Sequence, residues 1–234
     1  MGGIYVHIPF CKSKCGYCAF NSRSLSDLSK LDVYFEALVS EIEFRSDFFS
    51  EGKIETVYFG GGTPTLASPM QIGRILTALE NTFAVSLPDC EITIEGNPDT
   101  VDPDKLKGYL DLGVNRISIG VQSFNDRALE FLERRHDAAK AREAFSIARK
   151  AGFTNVGIDL ITALPKPFHR VYEADVAAAI DLLPEHLSVY LLTVESPSRL
   201  FFQVRTGEVT PLDDDAQADV YLHCHELLEQ AGYE

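Results

Sequence analysis

The chain has 234 residues, 45% of them hydrophobic and 24% charged, enough for one domain with a sizeable core. Its formal charge of −14 repels polyanions, which excludes a broad nucleic-acid surface and leaves room only for a local basic pocket. The apolar runs are no longer than strands, so no transmembrane segment is expected. Met1 passes straight into one of them without a signal or transit pattern, which predicts a cytoplasmic protein.

Short β-rich runs alternate with helical patterns along the whole chain. The runs cover residues 4–8, 55–60, 91–96, 116–122, 155–162 and 186–193. Helical periodicity falls near 31–47, 69–83, 103–111, 126–150, 169–183 and 213–231. Six strand–helix units of this kind predict an α/β fold, a (βα)6 partial TIM barrel with a parallel sheet. In such a barrel the chemistry belongs at the C-terminal ends of the strands.

The first run stops at Pro9, which has no N–H for a sheet ladder, and a loop bearing Cys11, Cys15 and Cys18 follows. Free cysteines are often plain buried hydrophobes, but three within eight residues of a loop point to a ligand set. A zinc site would need a fourth ligand, for which His7 is the nearest residue. A disulfide is disfavoured in a chain without a secretory signal. Three thiolates can hold an iron–sulfur cluster with one coordination position left open.

The second run ends in Gly60-Gly61-Gly62-Thr63-Pro64, a loop whose backbone N–H and C=O groups can approach a ligand closely. The third ends at Glu95, a carboxylate beside apolar neighbours that needs a partner, an ion pair inside the barrel mouth being the plain alternative to a ligand contact. Gln122 closes the fourth run, where it would contact a ligand or cap a neighbouring loop. His136 and Asp137 read as a helix start. Asp159, flanked by Ile158 and Leu160, should point inward near the mouth. Asp213, Asp214 and Asp215 open the last helix. Cys224, between His223 and His225, is not expected to be a metal site, because helix neighbours point apart; Cys90 also reads as structural.

The spacing C-x3-C-x2-C after a first strand resembles the radical S-adenosylmethionine (SAM) superfamily. The longer strings YVHIPFCKSKCGYCAF (5–20), GGTP (61–64) and GVNRISIGVQSFND (113–126) are similar to the oxygen-independent coproporphyrinogen III oxidase family and its haem-chaperone branch, HemW. The resemblance covers essentially all residues present. It implies a [4Fe–4S] cluster on Cys11, Cys15 and Cys18, with SAM on the fourth iron. It implies a cofactor-binding set of Tyr5, Tyr17, Gly61, Gly62, Thr63, Glu95, Gln122, Arg134, Asp159 and Thr193. Arg134 falls where the family places an Arg on the SAM carboxylate, with Arg135 as the neighbouring alternative. In this superfamily the reduced cluster cleaves SAM to methionine and a 5′-deoxyadenosyl radical.

Four departures qualify the match. Gly96 stands where the family usually has Ala, and Ala163 where a Gly is usual, so the turn after the fifth strand is expected to lose its freedom for positive φ. The Gln that usually follows that turn is also missing. Phe20 occupies the place of the fourth Cys of the oxidase branch, and the string Cys18-Ala19-Phe20-Asn21-Ser22 is similar to the chaperone branch. The resemblance therefore implies a protein that binds haem and hands it to acceptor haemoproteins. The alternatives are an oxidase acting on the porphyrinogen, or a radical SAM enzyme on another substrate. A flavodoxin-type protein is the implied electron donor. Family members continue into a C-terminal domain, so residues 1–234 are expected to be the radical SAM core alone, and no haem-binding residue is assigned within them.

Overall fold

The computed structural model describes residues 2–25, 29–48, 54–83 and 85–234; Met1 lies outside the described residues. Six parallel strands form one sheet in chain order: β1 (Gly2–Ile8), β2 (Ile54–Gly61), β3 (Glu91–Gly96), β4 (Arg116–Gln122), β5 (Val156–Thr162) and β6 (His186–Leu191). β1 pairs only with β2 and β6 only with β5 in this sheet, so the barrel is open between its first and last strands. Helices α1 (Ser29–Phe44), α2 (Pro69–Phe83), α3 (Pro103–Asp111), α4 (Asp126–Phe131), α5 (Ala138–Ala151), α6 (Val171–Ile180), α7 (Arg199–Arg205) and α8 (Asp214–Gln230) follow the strands.

Strand periodicity sorts the side chains into two faces. Val6, Ile8, Val57, Phe59, Ile92, Ile94, Ile117, Ile119, Ile158 and Leu160 are buried in the main core between sheet and helices. The alternate positions form the inner face, and they are polar or small. Tyr58, Thr93, Glu95, Arg116, Ser118 and Asp159 stand there with Gly60, Gly120 and Gly157 between them. A barrel interior is ordinarily filled by branched apolar side chains. Here it is a polar chamber, and Tyr5 on β1 is 57% exposed within it.

Two helical expectations change. The single helix expected at 126–150 is two, α4 and α5. Glu133 adopts φ +56, which a continuous helix cannot contain, and Asp137 starts α5 afresh by accepting from Lys140 N at 2.7 Å. The break returns residues 132–137 to the barrel mouth. α7, which periodicity did not reveal, is opened by a Ser198 cap on Phe201 N at 3.0 Å. The expected loss of positive φ at Ala163 is also corrected. Ala163 sits at φ +55, so the turn keeps its left-handed residue although a Cβ makes that conformation costly.

The loop that follows β2 is braced from outside by α3. Lys105 Nζ donates to the carbonyls of Thr65 and Leu66 at 3.2 and 3.1 Å, and the fully buried Tyr109 hydroxyl donates to Ala67 O at 2.6 Å. Tyr109→Phe removes the donor to a buried carbonyl while keeping the ring. It is expected to lower unfolding free energy by about 1–2 kcal/mol in denaturant titrations with an unchanged m-value. A change below about 0.3 kcal/mol would show that the brace carries no stability.

Candidate cofactor site at the barrel mouth

The cysteine loop is closed at its base. Phe10–Cys11 pairs in parallel with Arg23–Ser24, Arg23 N donates to Pro9 O and Leu25 N to Cys11 O, both at 2.8 Å. Within it, Cys18 N donates to Cys15 O at 3.2 Å. All three thiols are free and half-buried. Burial raises the Cys11 pKa, and the charges of Cys18 and Cys15 add to the rise, so the three sulfurs lie within electrostatic reach of one another. Among the described residues, no three His, Cys, Asp or Glu side chains converge tightly enough to hold a single metal ion. His7, the fourth ligand a zinc site would need, has both ring nitrogens engaged: Nδ1 with Tyr5 OH at 3.1 Å and Nε2 with Asn21 O at 2.8 Å.

The glycine loop is stitched to the cysteine loop. Gly62 N donates to Ile8 O at 2.8 Å and Thr63 N to Phe10 O at 2.7 Å. A Cβ on Gly62 would lie 2.5 Å from Phe10 O, and one on Gly61, at φ +116, 2.5 Å from the His7 ring, so neither position accepts a side chain. The expectation that this loop presents free N–H groups is corrected. The amides of Gly61, Gly62 and Thr63 are all spent inside the protein, Gly61 N on Glu95 Oε2 at 3.0 Å. What the loop can offer a ligand is carbonyl oxygen, which suits an ammonium group.

Glu95 has no ion-pair partner among the described residues; hydrogen bonds stand where the alternative reading would place an ion pair. Tyr58 OH donates to its Oε1 at 2.8 Å and Gly61 N to its Oε2. Burial raises its pKa, while the bonds from Tyr58 and Gly61 pull it down. Tyr58 went unassigned in the sequence. The signal was its position two residues before Gly60, on the same face of β2, in register with Thr93 of β3. Tyr5 stacks on Tyr58 with ring centroids 5.9 Å apart. Asp159 points inward as expected and accepts from Ser118 Oγ at 3.0 Å.

The two arginines separate cleanly. Arg135 points outward to Asp99 at 3.4 Å with half its side chain exposed. Arg134 turns into the mouth: Nη2 donates to Gly120 O at 2.6 Å, and Nη1 lies 3.4 Å from both Cys15 Sγ and Tyr17 OH. Burial raises the Tyr17 pKa, against the pull of Arg134. Gln122 Nε2 lies 2.8 Å, and Arg134 Nη2 3.5 Å, from the point where a Cβ on Gly120 would stand, so the two side chains meet over that glycine. Gly120 is a further site position that sequence reasoning missed. Thr193 stands exposed two residues beyond the end of β6. At Gly96 a Cβ would come within 3.3 Å of Thr65, a tight contact that Thr65 would have to yield to.

These residues fit an anionic, sulfur-ligated cofactor and an amino-acid-like ligand. Three thiols share one loop with an arginine against them. Arg134 Nε and Asn97 Oδ1 are buried without a partner, which leaves a donor and an acceptor to be satisfied. Away from the mouth, Cys90 Sγ donates to Ile54 O at 3.2 Å, buried Cys224 is pushed up to about 11 by burial, and His223 bonds Tyr172 OH at 2.8 Å.

The radical SAM superfamily model matches residues 5–174. The chain is 37% identical to the heme chaperone HemW of Haemophilus influenzae and 38% identical to that of Escherichia coli, each match covering 99% of this chain and 60% of the relative. The solved structure of coproporphyrinogen III oxidase (HemN) from Escherichia coli, described as a radical SAM enzyme, superposes with a TM-score of 0.85 at 31% identity, over 99% of this chain and 53% of that one. The chain thus spans 60% of the length of the curated relatives. Its open parallel barrel, its three-cysteine loop and a family match over most of its length make it a member of the radical SAM superfamily.

Proposed function

We propose that residues 1–234 are the radical SAM core of a haem chaperone of the HemW type, which binds haem and delivers it to acceptor haemoproteins. The observation that carries this reading is the residue at the end of the cysteine loop. Where the oxidase branch carries a fourth Cys, this chain has Phe20, 70% exposed, and the chaperones are the curated relatives at 37% and 38% identity. The fold match to coproporphyrinogen III oxidase supports the second reading, an oxidase acting on the porphyrinogen.

Cys11, Cys15 and Cys18 would hold a [4Fe–4S] cluster. Glu95, the carbonyls of Gly61 and Gly62, Thr63, Gln122, Asp159 and Arg134 would receive SAM, with Tyr5 and Tyr17 lining the approach and Thr193 beyond the end of β6. When bound, cluster and SAM supply one-electron chemistry that protein side chains cannot. The chain's own residues bind and orient. Arg134 holds a positive charge 3.4 Å from Cys15 Sγ and would receive the SAM carboxylate. Glu95 is held by Tyr58 and Gly61, which fixes the carboxylate that would receive SAM.

Replacing all three cysteines by Ala is expected to abolish iron and sulfide uptake on anaerobic reconstitution; full metal content in that variant would remove the basis of the proposal. Glu95→Ala and Arg134→Ala are expected to keep the cluster and weaken SAM binding about ten- to hundredfold, measured by equilibrium dialysis. Unchanged affinity in both would refute their assignment.

Chaperone and oxidase are separated by the fate of the tetrapyrrole. The protein, reconstituted and reduced, is incubated with SAM and either coproporphyrinogen III or haem. Stable haem binding and transfer to an apo-haemoprotein, without conversion of coproporphyrinogen, is the expected result. Formation of protoporphyrinogen with methionine and 5′-deoxyadenosine would establish the oxidase instead.

A further inference from the structure

The segment after β4 is held in a shape it would not choose. Gln122 adopts φ +69, the left-handed region that a side-chain-bearing residue rarely adopts. The ladder to β5 slips just before it: Gly120 pairs with Asp159 and Gln122 with Leu160, so Val121 bulges out. Side chains from three places grip the bulge. Arg134 Nη2 donates to Gly120 O at 2.6 Å and His136 Nε2 to Val121 O at 3.0 Å. On the far side, Asp175 of α6 accepts from Ser123 Oγ at 2.5 Å and from Phe124 N at 2.7 Å.

Asp175 is 2% exposed and lies on α6, a helix outside the sheet. Both of its hydrogen bonds go to the two residues that follow Gln122. Ser123 Oγ also accepts from Asn125 N at 3.0 Å, and Asn125 caps α4 through Ala128 N at 3.1 Å, so the clamp extends into the next helix. Arg142 sits 4.7 Å above the Phe124 ring and completes the surroundings. A buried carboxylate contributes little net stability compared with a well-packed apolar residue, and its better-attested use is to specify one conformation. Here the conformation specified is the one that folds the Gln122 amide back over Gly120, beside Arg134.

We infer that Asp175 is a positioning residue for the SAM site: from the outer side of the barrel it fixes the Ser123–Phe124 turn and thereby presents the Gln122 amide beside Arg134. The inference rests on the reading of Gln122 as a SAM residue proposed above.

A double-mutant cycle on the cluster-reconstituted protein tests it, with SAM affinity and iron and sulfide content as readouts. Asp175→Asn is expected to keep the cluster and weaken SAM binding about tenfold, because an amide cannot accept from both Ser123 Oγ and Phe124 N. Gln122→Ala is expected to lose at least as much. Asp175→Asn in the Gln122→Ala background is expected to lose no more, since Asp175 then has nothing to position. Losses that multiply in the double variant would overturn the inference. So would a weakened Gln122→Ala beside an unaffected Asp175→Asn, with the SAM reading left standing. An unaffected Gln122→Ala would sink the SAM reading of that residue, and the inference with it. Should Asp175→Asn fail to fold, Ser123→Ala removes one half of the same clamp and enters the cycle in its place, with the same outcomes.

Discussion

Two hydrogen bonds, from the amides of Gly62 and Thr63 to the carbonyls of Ile8 and Phe10, join the glycine loop to the start of the cysteine loop. The rest of the mouth depends on this seam. It places Cys11 beside the strand ends, spends the amides that would otherwise face a ligand, and leaves no room for a Cβ at Gly62. Gly61 N completes the seam by binding Glu95 on the next strand. A single backbone arrangement therefore places both Cys11 and the carbonyl-lined edge against which an amino group could lie.

The second organising feature is the inner face of the sheet. In a closed barrel it would be an apolar core. In this open one, Tyr58, Glu95, Ser118 and Asp159 satisfy one another across neighbouring strands, so the chamber stays polar without isolated charges. Charge is concentrated where it can be compensated: Arg134 reaches from the broken helix to the cysteine loop, while Arg135 is turned out to Asp99.

Much of this was legible in the sequence, for physical reasons that differ by element. The strands were readable because their outward positions are runs of Ile, Val and Phe that only a covered sheet accommodates, and the cysteines because three thiols on one short loop have few other uses. The Asp137 and Asp213 caps were readable as short acidic side chains ahead of helical periodicity. Other features were hidden because they depend on long-range contact. The break at Glu133 leaves no composition signal, and without it Arg134 and Arg135 are indistinguishable neighbours. Tyr58 and Gly120 gain their roles only when adjacent strands come into register. The Ala163 turn shows the limit of substitution logic: losing a glycine did not remove the left-handed conformation, because the packing around a residue 4% exposed imposes it.

The most direct test of the account is electron paramagnetic resonance of the anaerobically reconstituted, reduced protein with and without SAM. A three-cysteine cluster with an open iron, facing a SAM site built by Glu95 and Arg134, should give a reduced [4Fe–4S] signal whose g-values shift when SAM is added. A signal indifferent to saturating SAM, or no [4Fe–4S] signal at all, would contradict the claim that the barrel mouth assembles cluster and SAM into one site.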